Sequence, residues 1–211
     1  AGVRRCLRIR SIGEAGLFEG ETTASAMRLG LVVNPDAGLG GKLGFKGSDG
    51  RAAEARAAGA EDRAGPRMAQ CLSHLFTLVA SSLNRTNVRL ELVVWEGRMG
   101  GAWVPELDAD SPVSVRSVGS TPSSTTPEDT TRLVGDLLES GVEAIVYAGG
   151  DGTTRDIVNA LEAAGTEAKK TAVIGVPGGV KMHSGCFATT PKAAAEVVLS
   201  FAIGDLRTAI T

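Results

Sequence analysis

Residues 149–154, Gly-Gly-Asp-Gly-Thr-Thr, place one carboxylate among three glycines, between an apolar run and a helical pattern. Glycine leaves room for a bound group, and backbone N–H groups at the start of a helix bind phosphate oxygens. The Asp151 carboxylate could accept a proton from a hydroxyl group or bind a divalent cation such as Mg²⁺. These residue types together favour transfer of a phosphoryl group to a hydroxyl.

The glycines of this segment have two interpretations. If they serve a ligand, Gly149, Gly150 and Gly152 allow the backbone to take up positive φ and approach the ligand closely, with the Thr153 hydroxyl as a further donor to phosphate. Otherwise the segment is a tight strand-to-helix turn in which Asp151 is a local cap. It is neither a Walker loop nor a dinucleotide-binding G-x-G-x-x-G loop, so both interpretations stay open for this segment alone.

Two further segments carry positive charge in glycine-rich sequence. Residues 34–50 include Lys42 and Lys46, and residues 177–185 include Lys181. Each segment follows a predicted strand, and ligands of parallel α/β sheets bind beyond the carboxyl ends of the strands. One exposed lysine is usually only solvated, but three lysines in loops that converge at one sheet edge favour an anion-binding site.

Short apolar runs alternate with helical patterns along the chain from Met27 onward. The runs predict five strands, and the apolar stripes between them predict helices that pack on a sheet. Thr126 with Pro127, and Thr190 with Pro191, are typical of helix starts. Strands separated by helices require crossover connections, so we predict a doubly wound parallel α/β sheet. The predicted strands are residues 29–33, 88–95, 113–118, 144–148 and 172–176.

Composition and charge narrow the classes of function. The chain has 211 residues with 22 basic and 24 acidic side chains, and it lacks the run of like charges that would favour a nucleic-acid partner. Its longest apolar stretch is short and contains Glu196, so we expect no membrane span. Three widely spaced cysteines form no metal-ligand cluster and favour a reducing, cytoplasmic setting.

The first 26 residues differ from the rest of the chain because they lack helix or strand periodicity. Their four arginines are typical of a transit peptide, but Glu14, Glu19 and Glu21 argue against one. We therefore interpret residues 1–26 as a disordered or mis-assigned leader, with Met27 as the natural start of the protein.

Three stretches together resemble successive motifs of the ATP-NAD kinase-like family, which includes the acetoin-catabolism protein X homologues. They are LVVNPDAGLGGKLGFKGSDG (residues 31–50), AGGDGTTRDIVNAL (residues 148–161) and VIGVPGGVKMHSGCFATTP (residues 173–191). This family lies within a superfamily of NAD kinases and diacylglycerol or sphingosine kinases that share a G-G-D-G-T signature. The signature alone identifies only the superfamily, whereas the three motifs in order are specific.

The resemblance implies transfer of a phosphoryl group from ATP or inorganic polyphosphate to the 2′-hydroxyl of the adenosine ribose of NAD, which gives NADP. It implies that Asp151 accepts the proton of that hydroxyl, directly or through a metal-bound water, while Mg²⁺ or another divalent cation offsets the phosphate charge. The residues that it implies for nucleotide and phosphate binding are Asn34, Lys42, Lys46, Gly149, Gly150, Gly152, Thr153, Gly178, Gly179, Lys181, His183 and Ser184.

The sequence departs from the resemblance in its length. NAD kinases have a second, β-rich domain that completes the dinucleotide site, whereas this chain stops soon after the Pro191 helix. We therefore expect residues 27–211 to be a nucleotide-binding kinase domain that forms the N-terminal part of a longer protein.

Two alternatives to an NAD kinase stay open. The first is a lipid kinase of the diacylglycerol or sphingosine type, although these usually have Asn-Glu after the signature, where this chain has Arg155 and Asp156. The second is a catalytically silent nucleotide-binding module. The sequence leaves open the oligomeric state, a homo-oligomer included, and any link to acetoin metabolism.

Overall fold

The computed structural model describes residues 6–9, 26–39, 59, 61–178 and 183–209, and these contain seven strands and four α-helices. The strands are β1 (Cys6–Ile9), β2 (Met27–Val33), β3 (Leu90–Glu96), β4 (Val113–Ser120), β5 (Ala144–Gly149), β6 (Ala172–Pro177) and β7 (Leu206–Ala209). The helices are α1 (Ala64–Thr86), α2 (Pro127–Glu139), α3 (Asp151–Ala163) and α4 (Pro191–Ala202).

Five of the strands form one parallel sheet in the order β4-β3-β2-β5-β6. The chain winds outward from β2 through β3 to β4, and then returns to the other side of β2 as β5 and β6. The winding therefore reverses between β2 and β5, which is where sheets of this kind bind ligands. The Asn34 N–H, just beyond β2, donates to the Ala148 carbonyl of β5 at 2.9 Å and keeps the two carboxyl ends together.

Alternate side chains of the strands build one core on each face of the sheet. Leu29, Leu31 and Val33 of β2 pack in the core that contains α1 and α4. Val32 packs in the opposite core, which contains α2 and α3. Helices cover both faces, so the predicted doubly wound fold is confirmed. Burial on both faces also explains why these strands are nearly continuous apolar runs.

The predicted elements agree closely with the observed ones. All five predicted strands are present, and their ends differ from the prediction by at most two residues. Gly141 and Gly204, which follow the ends of α2 and α4, adopt left-handed backbone conformations with φ of 71° and 81°. Within the described residues no second β-rich domain accompanies the sheet.

Strand β1 is not predicted from the sequence. It lies inside the segment interpreted as a leader, and it pairs antiparallel with β7. Four residues are too few to show a period, so β1 is specified by its distant partner and not by a local pattern. Residues 1–5 and 10–25 lie outside the described residues, and the division of the chain at Met27 stays a prediction.

None of the helices in the described part of the chain is long and apolar enough to cross a membrane. The longest, α1, has 23 residues, and its apolar side chains form a stripe that packs on the sheet. The opposite side of α1 carries polar residues, so this helix is built for the surface of an α/β domain.

A capping box is present at the start of α2, the helix start that Thr126 and Pro127 predict. The Asp129 carboxylate accepts hydrogen bonds from the Thr126 backbone N–H at 2.8 Å and the Thr126 hydroxyl at 3.2 Å, and it also pairs with Arg132. Burial raises the pKa of the Asp129 carboxyl, but the hydrogen bonds from Thr126 and Arg132 outweigh burial and lower the pKa overall. The charged form of Asp129 therefore stabilises the fold.

Replacing Asp129→Asn should lower the free energy of unfolding at pH 7 by about 1 kcal/mol, the usual cost of a lost helix cap. Because the folded-state pKa is lowered, this contribution exists above the ordinary Asp pKa of about 3.9 and disappears as the pH falls through the folded value. Urea unfolding at several pH values measures it, with Glu128→Gln as a control in the same turn. If the difference in free energy of unfolding between Asp129→Asn and the parent stays constant as the pH is lowered below the Asp129 pKa, the role of the charge is contradicted.

Candidate functional site

The segments that follow β2, β5 and β6 meet at the carboxyl edge of the sheet. Asn34 follows β2, Asp151 begins α3 directly after β5, and residues 183–188 cross this edge beside β6. We call residues 183–188 the strap. The strap is fixed to β6 because the Gly175 N–H donates to the Cys186 carbonyl at 2.8 Å and the Ala188 N–H donates to the Gly175 carbonyl at 2.9 Å.

The Asp151 carboxylate contacts the strap and not its own helix. Its Oδ1 accepts hydrogen bonds from the Ser184 hydroxyl at 2.6 Å and the Ser184 N–H at 3.0 Å. The His183 N–H lies 3.1 Å from Oδ1 and 3.0 Å from Oδ2. Helix α3 has Gly150 as its N-cap and no side-chain cap. The interpretation of Asp151 as a local cap is therefore wrong, because its oxygens are turned toward a segment 32 and 33 residues away.

These hydrogen bonds keep Asp151 ionised. The hydrogen bond from the Ser184 hydroxyl lowers the pKa of the Asp151 carboxyl most; partial burial opposes it, and the N–H groups of Ser184 and His183 lower the pKa further. A carboxyl group with a lowered pKa is charged at neutral pH but removes protons weakly. The geometry therefore suits Asp151 to accept a hydrogen bond from a hydroxyl and orient it.

Asn34 and Thr153 join β2 to the first turn of α3. The Asn34 Nδ2 donates to the Thr153 hydroxyl at 2.9 Å, and the Asn34 Oδ1 accepts from the Asp36 N–H at 2.9 Å. Thr153 is buried, with 2% of its surface exposed. Both side chains thus hold the start of α3 beside β2, and their direct contact with a phosphate stays a prediction.

The three glycines of the signature have different surroundings. Gly149, Gly150 and Gly152 do not use the positive φ that glycine allows, because α3 begins directly after β5 with no left-handed turn. At Gly149 a Cβ would lie 2.5 Å from the Thr153 hydroxyl oxygen, whereas at Gly150 and Gly152 a Cβ would meet no atom of the described residues within 4 Å. Gly149 is therefore required by packing, while Gly150 and Gly152 leave open space at the N-terminus of α3.

Gly178 lets three elements approach one another at this edge. A Cβ there would lie 3.2 Å from the backbone N and O of Gly149 and 3.3 Å from the Cα of Ala64. Gly38, with φ of 84°, lies against the same place, since its Cβ would be 2.9 Å from the Gly178 carbonyl oxygen. The ends of β5 and β6 and the start of α1 are in backbone contact, which explains the absence of a side chain at Gly178.

Tyr147 is a buried residue that sequence reasoning does not assign to the site. Its hydroxyl lies 2.5 Å from the Thr154 hydroxyl and 3.1 Å from the Cys186 sulfur, and its ring packs against Phe187 at a centroid distance of 5.3 Å. Burial raises the pKa of Tyr147, which stays protonated. Tyr147 therefore attaches the strap to β5 and α3; a lone tyrosine in the apolar run before the signature was the only signal for it.

Four of the sequence-predicted site residues lie outside the described residues, namely Lys42, Lys46, Gly179 and Lys181. The structure therefore brings together Asn34, the Gly149–Thr153 segment, Gly178, His183 and Ser184, and leaves the predicted positive charge of the site as a prediction. His183 reaches Asp151 through its backbone N–H, and its side chain is exposed.

A site for Mg²⁺ requires oxygen ligands. Among the described residues, no three His, Cys, Asp or Glu side chains cluster as metal ligands. Magnesium usually keeps several waters and binds substrate phosphates with the help of one or two carboxylates. A Mg²⁺ site of this kind would not show as a cluster of three protein side chains, because waters and substrate phosphates supply part of its ligands.

The fold and the site define an α/β domain of the kind that binds nucleotides where its sheet reverses direction. The family model for the ATP-NAD kinase N-terminal domain matches residues 29–205, a span that contains the parallel sheet, Asp151 and the strap. The chain therefore belongs to the ATP-NAD kinase family, a family of kinases. Neither the curated proteins nor the solved structures include a significant match to this chain.

Two alanine substitutions should separate the two kinds of glycine. Gly149→Ala should lower the free energy of unfolding by about 1–3 kcal/mol, because the added methyl overlaps Thr153. Gly152→Ala should leave it unchanged or raise it by about 0.4–1 kcal/mol, since the methyl enters open space and alanine favours the helix. Urea unfolding monitored by circular dichroism compares the two variants. Equal losses of unfolding free energy would contradict the difference in packing.

Proposed function

We propose that this protein is an NAD kinase that transfers a phosphoryl group from ATP or inorganic polyphosphate to the 2′-hydroxyl of the adenosine ribose of NAD. The observation that carries the proposal is the Asp151 carboxylate, ionised and fixed at the reversal point of the sheet beside the N-terminus of α3. Membership of the family supports a kinase. The resemblance of the three sequence motifs supports NAD as the acceptor.

In this proposal Asp151 acts on the acceptor. The 2′-hydroxyl of NAD donates a hydrogen bond to the carboxylate, which turns the hydroxyl oxygen toward the phosphorus of the donor. The new O–P bond forms, the bond between that phosphorus and ADP or the shortened polyphosphate breaks, and Asp151 accepts the proton as the new bond forms. Phosphoryl transfer depends mainly on positioning and charge stabilisation, so a weakly basic carboxylate is sufficient.

The phosphate donor binds at the N-terminus of α3. The first N–H groups of a helix lack acceptors within the helix and carry a partial positive charge. Gly150 and Gly152 leave this end open within the described part of the chain, where no atom lies within 4 Å of their Cβ positions. A divalent cation bound to the donor supplies further neutralisation of phosphate charge, and we assign Lys42, Lys46 and Lys181 to the same role.

The remaining residues of the proposed site act on its shape. Asn34, Gly149 and Thr153 hold α3 against β2, and Gly178 allows β6 to approach β5. We expect the reaction to take place in the cytoplasm, in keeping with the few, widely spaced cysteines.

The reaction can be tested by measuring NADP formed from NAD and Mg²⁺, with ATP and polyphosphate supplied in parallel. The parent should form NADP with at least one donor, and Asp151→Asn should lower kcat/KM by about 10²–10⁴-fold, the usual contribution of a positioned acid or base. Asp110→Asn is the matched control, since Asp110 is exposed in the turn before β4, at the opposite edge of the sheet. Asp110→Asn should have the same kcat/KM as the parent.

If no NADP forms, two further measurements on the same protein, lipid phosphorylation and thermal stability with ATP, identify a different function. A folded parent that phosphorylates diacylglycerol or sphingosine and not NAD would establish a lipid kinase. A parent that is thermally stabilised by ATP but forms no product from either acceptor would establish a silent nucleotide-binding module.

The proposed donor site makes a separate prediction for Gly152→Ala. The added methyl should raise KM for the phosphate donor about tenfold, the effect of losing one hydrogen bond to a charged group of ~1.5 kcal/mol. KM for NAD should stay within about twofold of the parent, because one wrongly placed methyl affects only the phosphates it meets. Steady-state kinetics with each substrate varied in turn measure both values; a change confined to NAD would place the donor elsewhere.

A further inference from the structure

Ser184 makes two hydrogen bonds to a single carboxylate oxygen. Its hydroxyl lies 2.6 Å from Asp151 Oδ1 and its backbone N–H lies 3.0 Å from the same atom. Two donors from one residue determine the rotation of the carboxylate as well as its position. The family signature contains Asp151 but not Ser184, so this control over Asp151 comes from a different segment of the chain.

The hydrogen bonds are distributed unevenly between the two oxygens of Asp151. Oδ1 receives both donors of Ser184 and lies 3.1 Å from the His183 N–H, whereas Oδ2 shares only that His183 N–H, at 3.0 Å, among the described residues. A carboxylate offers about four lone-pair sites, two on each oxygen. Oδ1 is therefore fully used, and Oδ2 retains room for another donor.

The strap that carries Ser184 is fixed on both sides of the site. It is hydrogen-bonded to Gly175 of β6, and Cys186 and Phe187 contact the buried Tyr147 of β5. A Cβ at Gly175 would lie 2.6 Å from the Phe187 ring and 2.9 Å from the Tyr147 hydroxyl, so the strap packs tightly against both strands. Ser184 is thus presented to Asp151 by packed structure.

We infer that Ser184 is a positioning residue, which holds Asp151 through Oδ1 so that Oδ2 is the oxygen that meets the acceptor hydroxyl. The inference rests on the proposed function, because it assumes that Asp151 meets such a hydroxyl. It gives Ser184 a different role from the nucleotide contact implied by the sequence resemblance, since the Ser184 hydroxyl already has a partner inside the protein.

The charged surroundings of Asp151 make this role measurable. The titratable groups that face Asp151 from the described elements are His183 on the strap and Tyr147 of β5. A substitution at Ser184 leaves both of these side chains in the protein. The Ser184 hydroxyl is the largest influence that lowers the pKa of Asp151, so its removal should raise this pKa toward the ordinary aspartate value.

The test compares Ser184→Ala, Ser184→Thr and the control Ser73→Ala, whose hydroxyl bonds only within α1. The pKa of Asp151 is measured by ¹³C NMR of carboxyl groups, with the Asp151 signal assigned from its absence in Asp151→Asn. The pH dependence of kcat/KM for NADP formation is measured in parallel. Ser184→Ala should raise the Asp151 pKa, move the acid limb of the kinetic profile upward in pH, and lower kcat about tenfold.

Rescue by threonine separates positioning from a general loss of structure. Ser184→Thr keeps the hydroxyl and should retain the parent pKa and acid limb, as should Ser73→Ala. If Ser184→Ala does not fold, Ser184→Cys replaces it, because a thiol is a weaker donor of similar size and should shift the pKa in the same direction.

An unchanged Asp151 pKa in folded Ser184→Ala or Ser184→Cys would overturn the inference, whatever happens to activity. A raised pKa in a protein whose parent forms no NADP would support the control of Asp151 by Ser184 and contradict the NAD kinase proposal. The two ideas therefore fail in different experiments.

Discussion

The hydrogen bonds between the Asp151 carboxylate and the strap are the interaction on which the site depends. A carboxylate beside a phosphate site would normally repel the ligand, because both are negative. Here donors from Ser184 and His183 take up much of the charge of Asp151 and keep it ionised at neutral pH. The same bonds connect α3, which starts after β5, to a segment that lies along β6. The contact between Asp151 and the strap thus fixes the position and orientation of the carboxylate and joins α3 to the strap at the edge of the sheet.

The close approach of backbones at this edge depends on glycines of two kinds. Gly149 and Gly178 have no space for a side chain, since Thr153 and the Gly149 backbone occupy it, and they allow β5, β6 and α3 to meet. Among the described residues, no atom lies within 4 Å of the Cβ position of Gly150 or Gly152, so packing within that part of the chain does not explain them. An unfilled space at a helix N-terminus with a carboxylate beside it is suited to an anion and its hydroxyl partner. Glycines that are equivalent in the sequence therefore separate into packed and open positions only in three dimensions, and the open positions are the ones that the proposed donor site uses.

Much of the fold was predictable because the information is local. Strands buried on both faces are continuous apolar runs. The capping box at Thr126 and the left-handed Gly141 lie in the sequence next to the two ends of α2. The site was predictable only in part. Asp151 and its glycines are recognisable by type, but the contact with Ser184 joins residues 33 positions apart and follows from the packing of the strap on Tyr147. The signature glycines do not use the positive φ available to them, because α3 begins directly after β5. Strand β1 was missed because its only partner, β7, lies at the other end of the described chain.

With Oδ1 of Asp151 held by the strap and Oδ2 facing the acceptor, as we propose, a weak base can serve phosphoryl transfer. In a loose transition state the acceptor oxygen gains little negative charge before the donor bond breaks, so early removal of its proton contributes little. What matters is the direction in which the hydroxyl points, and a carboxylate held at Oδ1 can set that direction with Oδ2. The stiffness of this arrangement comes from the buried Tyr147 hydroxyl, which lies against both Thr154 of α3 and Cys186 of the strap. A residue with no access to substrate thereby fixes the distance between the helix that would receive the phosphates and the serine that orients the carboxylate.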